Sequence, residues 1–222
     1  MDAVAIDFEK LRAELYTAVL SDTLDSLGHT RQAMKPFVRP LDERSVLFGR
    51  ARTGLFMPIY HVPEGENFYE IEIRLVDDLK VNEVAVFACN GPTDRIAPWG
   101  ELLSTAASYR GAVGCVTDGL VRDVRQIRAM GFPVFHGGIG PLDSQGRGRM
   151  VAMDVPIECG GVAVRSGDLV FGDVDGIVVI PSEIEEAVLE AALEKVKGEN
   201  RTRDELARGL KLADVYEKYG VL

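Results

Sequence analysis

Histidine, cysteine and tryptophan are scarce in this 222-residue sequence, at three, three and one. The cysteines, Cys89, Cys115 and Cys159, are odd in number, far apart, and each sits inside an apolar run. That excludes a disulfide framework and the Cys-rich zinc patterns, and it matches a reducing compartment. The histidines, His29, His61 and His136, never approach one another at ligand spacing, so no histidine metal centre is expected. Positive charge is also short: 25 Lys and Arg against 35 Asp and Glu leave a net charge of −10. Without a polybasic run, neither nucleic acid nor a membrane surface is expected as a partner. No apolar run approaches the ~18 residues of a spanning helix, and Met1–Lys10 carries acids where a secretory leader needs cations. A cytoplasmic location is the expectation. The remaining composition, 46 % hydrophobic and 27 % charged, is that of an ordinary globular protein, and with the alternation of elements described next it is read as one α/β domain over residues 1–222.

Hydrophobic periodicity predicts a helix over Asp7–Leu27, capped by Asp7 and ended by Gly28. A strand follows at Val46–Leu55. The segment Asn67–Leu79 fits both periods and leans to helix, and Val81–Cys89 reads as a buried strand ending at the Asn90-Gly91 turn. The middle alternates cleanly: helix Glu101–Arg110, strand Ala112–Thr117, helix Asp123–Met130, and an extended Pro133–Phe135. That order implies parallel strands joined by crossover helices. Short strands follow at Val151–Ile157, Val162–Val164, Leu169–Phe171 and Ile177–Ile180. The end, Ser182–Lys218, is helical, with Ser182 as cap and a break near Gly198.

Several apparent motifs dissolve. Gly172-Asp173-Val174-Asp175-Gly176 lacks the ligand order of a calcium loop and reads as a hairpin turn. Gly137-Gly138-Ile139-Gly140 lacks both phosphate-binding spacings. One pair of segments does not dissolve: Trp99-Gly100-Glu101-Leu102-Leu103 and Thr117-Asp118-Gly119-Leu120-Val121-Arg122-Asp123. Each enters a helix, where unpaired backbone N–H groups and a partial positive charge favour an anion. Arg122 adds a fork of donors matched to a carboxylate, and Asp123 is a hard oxygen ligand suited to Mg2+. On chemistry alone, surface ion pairing of Arg122 and Asp123 remains an equal alternative.

Twenty residues separate Glu101 from Arg122, and Asp123 follows. This spacing resembles the Asp/Glu-x20-Arg-Asp signature of the class II 4-hydroxy-4-methyl-2-oxoglutarate / 4-carboxy-4-hydroxy-2-oxoadipate aldolases, which share a fold with the regulator of ribonuclease activity A. The resemblance covers most of the chain, through the blocks at 20–28, 99–103, 118–123, 131–135, 160–164, 166–170 and 172–181. It implies a three-layer β/β/α swivelling domain with helices at both ends, assembled as a homotrimer or hexamer. It implies a divalent ion, Mg2+ or Mn2+, held directly by Asp123 and reached through water by Glu101 and by Glu199 of a neighbouring subunit. Arg122 would bind substrate and steady an enolate oxygen. The backbone at Gly100, Leu102 and Leu103 would take the carboxylate of a small anionic 2-oxo acid.

The implied activity is retro-aldol cleavage of a 4-hydroxy-2-oxo acid to pyruvate, with oxaloacetate decarboxylation through the same enolate. A non-catalytic regulator sharing the fold is the alternative; Glu101 argues against it, because that regulator has no acid at this motif position. Phosphotransfer through His136 would rest on fold alone. The chain departs from the pattern in having Glu101 where Asp is frequent, and Lys80-Val81-Asn82-Glu83 where Pro-Gly-Asp is usual. The Pro58–Phe68 loop has no placed counterpart and is a candidate for substrate choice.

Overall fold

The computed structural model describes residues 6–62 and 64–220. Half of the N-terminal stretch behind the leader reading, Met1–Ala5, lies outside the described residues. In chain order the elements are α1 (Phe8–Glu14), α2 (Thr17–Ser26), β1 (Arg39–Pro40), β2 (Leu47–Pro58), α3 (Glu70–Asp77), β3 (Glu83–Ala88), α4 (Glu101–Tyr109), β4 (Gly114–Thr117), β5 (Leu120–Val121), α5 (Val124–Met130), β6 (Val134–His136) and β7 (Gly138–Ile139). Then come β8 (Gly148–Met153), β9 (Ile157–Cys159), β10 (Val162–Val164), β11 (Leu169–Asp173), β12 (Gly176–Ile180), a 3-10 turn (Ser182–Ile184), α6 (Glu185–Ala207) and α7 (Leu212–Tyr219).

One mixed sheet runs in the order β1-β6-β4-β3-β2-β11-β12, with β8 also paired to β2. Its β2–β3, β3–β4 and β4–β6 pairs are parallel, joined through α3, α4 and α5 as the alternating pattern requires. Period-2 alternation along β3 divides the core. Ala85 and Phe87 face the helices with Leu75, Trp99 and Ile127, whereas Val84 and Val86 face Cys159, Val162 and Val164 of the β9–β10 ribbon. Helices, sheet and ribbon form the three layers. A third cluster seats α1, α2 and α6 on the antiparallel end of the sheet, around Leu20, Phe48, Phe171 and Val188. All three cysteines are buried free thiols, pushed up by desolvation and so unreactive.

Four expected boundaries are corrected. The first helix is two, because Leu15 and Tyr16 are extended, and the backbone N–H and hydroxyl of Thr17 donate to the Asp173 carboxylate at 2.9 and 2.6 Å. Val151–Ile157 is not one strand: Asp154 takes a left-handed φ of 56°, clamped by two Arg52 donors at 2.9 and 2.8 Å. Ser182 caps nothing; it opens the 3-10 turn, with its N–H on Asp168. The C-terminal helix passes unbroken through Gly198, which is buried within it, and breaks instead around Gly209 at φ 88°. The Lys80–Glu83 turn survives its departure from Pro-Gly-Asp because Asn82 adopts φ 63°. Gly172–Gly176 is the expected hairpin, with Asp173 opposite Gly176.

Candidate active site

Trp99 sets the geometry. Its ring is buried between Phe87 and Phe132, and its indole N–H donates to Ser104 Oγ at 2.8 Å. That hydroxyl donates in turn to the Gly100 carbonyl at 3.0 Å, fixing where α4 begins. On the other side, the Arg122 N–H donates to the Trp99 carbonyl at 3.1 Å, across a parallel bridge between Trp99 and Val121. Two segments twenty residues apart are thereby laid side by side, with the head of α4 against Arg122-Asp123.

Asp123 precedes α5 in the left-handed region, φ 57° and ψ 32°, and its side chain makes no capping bond to that helix. An aspartate at this position ordinarily spends its carboxylate on its own helix. Here the carboxylate crosses to α4 and accepts the Glu101 N–H at Oδ2, 3.2 Å away. Gly100 makes this approach possible, since a Cβ there would lie 2.6 Å from Asp123 Oδ2 and 3.2 Å from Arg122 Nε. The Arg122 guanidinium makes no hydrogen bond among the described residues; it lies 3.6 Å from Asp123 and 3.8 Å from Asp143. Its fork of donors is available to an anion, beside the helix-terminal N–H groups of Leu102 and Leu103.

These groups line a cleft of about 300 Å3, shared with Tyr69, Glu72, Ile73, Asp143 and Ser144. Gly100, Leu102, Leu103, Arg122 and Asp123 are thus brought together as the sequence pattern anticipates. Glu101 contributes its backbone, whereas its carboxylate accepts from Thr105 Oγ at 2.7 Å along its own helix. Glu199, whose expected role concerned a neighbouring subunit, lies on α6, bonded to the Tyr16 hydroxyl and flanked by Lys195 and Arg203. His136 is not on the cleft; it is buried on β6, and desolvation lowers its imidazole to about 4. A second hollow, between Leu41 and Phe132, has its charges satisfied: Asp42 pairs with Arg44, and Arg128 donates to the Leu41 carbonyl.

Sequence reasoning missed the opposite wall. The Tyr69 hydroxyl donates to Asp143 at 2.9 Å, and burial plus that acceptor push the phenol up to about 12. Glu72 is 5 % exposed, and burial, then the Asp143 charge, raise its carboxyl to about 8. A signal for it existed. In the stripe Phe68, Glu72, Leu75, Val76, Leu79, an acid occupies a core position of an otherwise apolar helix face.

For a metal, the described residues contain no group of three or more His, Cys, Asp or Glu able to hold one. The oxygen donor at Asp123, cradled by a glycine, fits a hard ion that keeps most of its waters, as Mg2+ does, and not one that needs a cage of His or Cys ligands.

The three-layer fold, with the head of α4 laid beside Arg122-Asp123, is that of the RraA-like class. The chain belongs to that family, described as Aldolase/RraA, whose model matches residues 17–179. A relative from Halalkalibacterium halodurans, provisionally named a 4-hydroxy-4-methyl-2-oxoglutarate aldolase, is 34 % identical over 88 % of this chain and 86 % of its own. Streptomyces coelicolor RraAS2, described as an unusual member of the RNase ES inhibitor RraA family, superposes with TM-score 0.80 at 27 % identity, covering 90 % of this chain and 98 % of that one. A structure reported among novel cellulases from gut-associated microbes gives TM-score 0.82 at 28 % identity, over 90 % of both chains. The relatives' names support an aldolase-type lyase. No helix among the described residues is long and apolar enough to cross a membrane.

Proposed function

We propose that this protein is a divalent-metal-dependent pyruvate aldolase that cleaves a 4-hydroxy-2-oxo acid. The observation that carries the reading is the convergence, in one cleft, of the unbonded Arg122 guanidinium, the Asp123 carboxylate and the open N-terminus of α4. The N–H groups of Leu102 and Leu103 take the substrate carboxylate, and Arg122 faces the 2-oxo oxygen. As the C3–C4 bond breaks, its electron pair moves into the C2–C3 enolate, and Arg122 stabilises the charge that grows on oxygen. The C4 hydroxyl becomes a carbonyl and loses its proton to a water oriented by Glu101 and by Glu199 supplied from a second copy of the chain. Protonation of the enolate at C3 yields pyruvate. A divalent cation at Asp123, Mg2+ or Mn2+, would supply Lewis-acid charge to the oxygens of the 2-oxo acid. Oxaloacetate decarboxylation runs through the same enolate and belongs to the proposal, as does a trimeric or hexameric assembly that brings Glu199 to the cleft.

The test is pyruvate release from 4-hydroxy-2-oxo acids and oxaloacetate, with Mg2+, with Mn2+ and with a chelator. Release that the chelator abolishes is expected; no release from any of them under any condition overturns the reading. The Streptomyces neighbour's description favours a second reading, a non-catalytic regulator. Under it, Arg122 and Asp123 would be dispensable for partner binding and no turnover would be found.

A further inference from the structure

The cleavage just described leaves one proton without a donor, the one that reaches C3 of the enolate. The polar groups that line the cleft can be taken in turn. Tyr69 spends its hydroxyl on Asp143 at 2.9 Å, and a phenol pushed up to about 12 parts with its proton reluctantly. Trp99 donates to Ser104, and a serine hydroxyl such as that of Ser144 is far too weak an acid. Asp123 and Asp143 are acceptors, met by the Glu101 N–H and the Tyr69 hydroxyl. Arg122 stays charged at any working pH.

Glu72 differs from all of these. It is 5 % exposed, lines the same cleft, and makes no hydrogen bond among the described residues. Two carboxyls in one poorly solvated wall do not both ionise cheaply. Asp143 has the Tyr69 hydroxyl, and Arg122 at 3.8 Å, to hold its charge, so the proton stays on Glu72. Burial and Asp143 favour the acid and Arg122 opposes it, which leaves the carboxyl at about 8, near the pH at which a general acid works best. Other charges around α3 are paired elsewhere: Arg149 with Glu66, Arg110 with Asp77, and Arg52 with Asp154. The nearby Cys89 thiol is buried and keeps its proton.

We infer that Glu72 is the acid that protonates the enolate at C3. The inference rests on the retro-aldol reading of the same cleft and supplies the step that reading leaves open. When the carboxylate and the 2-oxo oxygen are both held by the α4 N–H groups and Arg122, C3 lies on the other edge of the molecule, toward the wall that carries Glu72. In the retro-aldol reaction the C4 hydroxyl gives one proton to water, Glu72 gives one to C3, and the water returns its proton to the Glu72 carboxylate, so none is consumed. In oxaloacetate decarboxylation the departing CO2 carries no proton, and Glu72 reloads from solvent at one proton per turnover. One acid thus serves every substrate that passes through this enolate.

The reverse step tests this without knowledge of the physiological substrate. In D2O with Mg2+, the ionised Glu72 should take a methyl proton from pyruvate and return a deuteron, which proton NMR follows. Wild-type exchange is expected to rise with pH through the ionisation of Glu72 and then level. Asp143→Asn should move that midpoint to lower pH. Glu72→Gln should slow exchange roughly 10²-fold or more while oxalate, which mimics the enolate head, still raises its Tm as in wild type. In metal-free protein, the infrared difference between pH 6 and pH 9 should show a protonated carboxyl that Glu72→Gln lacks. Wild-type exchange in Glu72→Gln overturns the inference and leaves the aldolase standing. So does a wild-type protein that cleaves hydroxy acids or oxaloacetate yet exchanges nothing. Loss of exchange together with loss of the oxalate response also overturns it, because Glu72 then shapes the cleft and moves no proton. If the wild type neither cleaves nor exchanges, the retro-aldol reading falls and takes the inference with it.

Discussion

The carboxylate of Asp123 accepts the backbone N–H of Glu101 at 3.2 Å, so the residue that precedes one helix satisfies the first donor at the head of another and leaves those of Leu102 and Leu103. The contact ties the two halves of the sequence signature together, and it holds the carboxylate beside Arg122 without spending its second oxygen on α5. The left-handed backbone at Asp123, uncommon for a residue with a side chain, is the local cost of that arrangement.

Asp123→Asn and Asp123→Ala should separate chemistry from fold. Asparagine tolerates the left-handed backbone, so the Asn variant is expected to melt close to wild type while pyruvate release falls roughly 10²–10³-fold or more. Alanine should add a stability loss of roughly 1–2 kcal/mol from its backbone preference. Denaturant unfolding and a coupled pyruvate assay check both, and wild-type turnover in the Asn variant would remove Asp123 from the site.

Gly100→Ala is a sharper probe. Gly100 is extended, with φ −150° and ψ −171°, so alanine suits the backbone, yet its methyl would lie 2.6 Å from Asp123 Oδ2. Turnover should drop about 10²-fold, the scale of an ångström of misplacement, with little change in Tm. Full activity would mean the carboxylate works from elsewhere.

Glu72 gives the fold a pH dependence with a definite sign. Its carboxyl, normally near 4.5, is raised to about 8 by burial and by Asp143. Between those values the folded chain holds a proton that the unfolded chain has released. The stability is therefore complete below about 4.5 and falls as pH rises through 8, by up to about 1.4 kcal/mol per pH unit. Glu72→Gln should flatten that slope, gaining on the order of 2–4 kcal/mol at pH 9 relative to wild type. Urea unfolding at pH 6 and pH 9 in chelated buffer measures it; parallel slopes would refute the assignment.

His136 acts at the other end of the scale. Desolvation first, and Arg128 second, lower its imidazole to about 4 from an ordinary 6.5. The fold keeps it neutral, so the associated stability is present above 6.5 and is lost as pH falls toward 4. Imidazole NMR should show no titration of His136 between pH 8 and pH 5. A midpoint near 6.5 would reopen a proton-transfer role for it.

The parallel middle of the fold was legible in the sequence because strands β3 and β4 are buried runs and their crossover helices stop at glycines. The site's near wall was legible for a related reason: Trp99, Gly100, Arg122 and Asp123 are each chemically conspicuous at their spacing. What escaped was decided by partners distant in the chain. The break at Leu15–Tyr16 exists because Asp173, 156 residues on, caps the second helix through Thr17. Gly198 and Gly209 look alike in sequence, yet one packs inside α6 and the other ends it. Asp143 became a site residue only when its loop folded over Tyr69.

Trp99 is the chain's only tryptophan, buried, stacked on Phe132, and adjacent to the glycine that cradles Asp123. Its fluorescence has a single origin, at the floor of the cleft. Selective excitation of that indole therefore watches the floor of the cleft alone, and the protein carries its own optical probe for label-free titration with an ion or a keto acid.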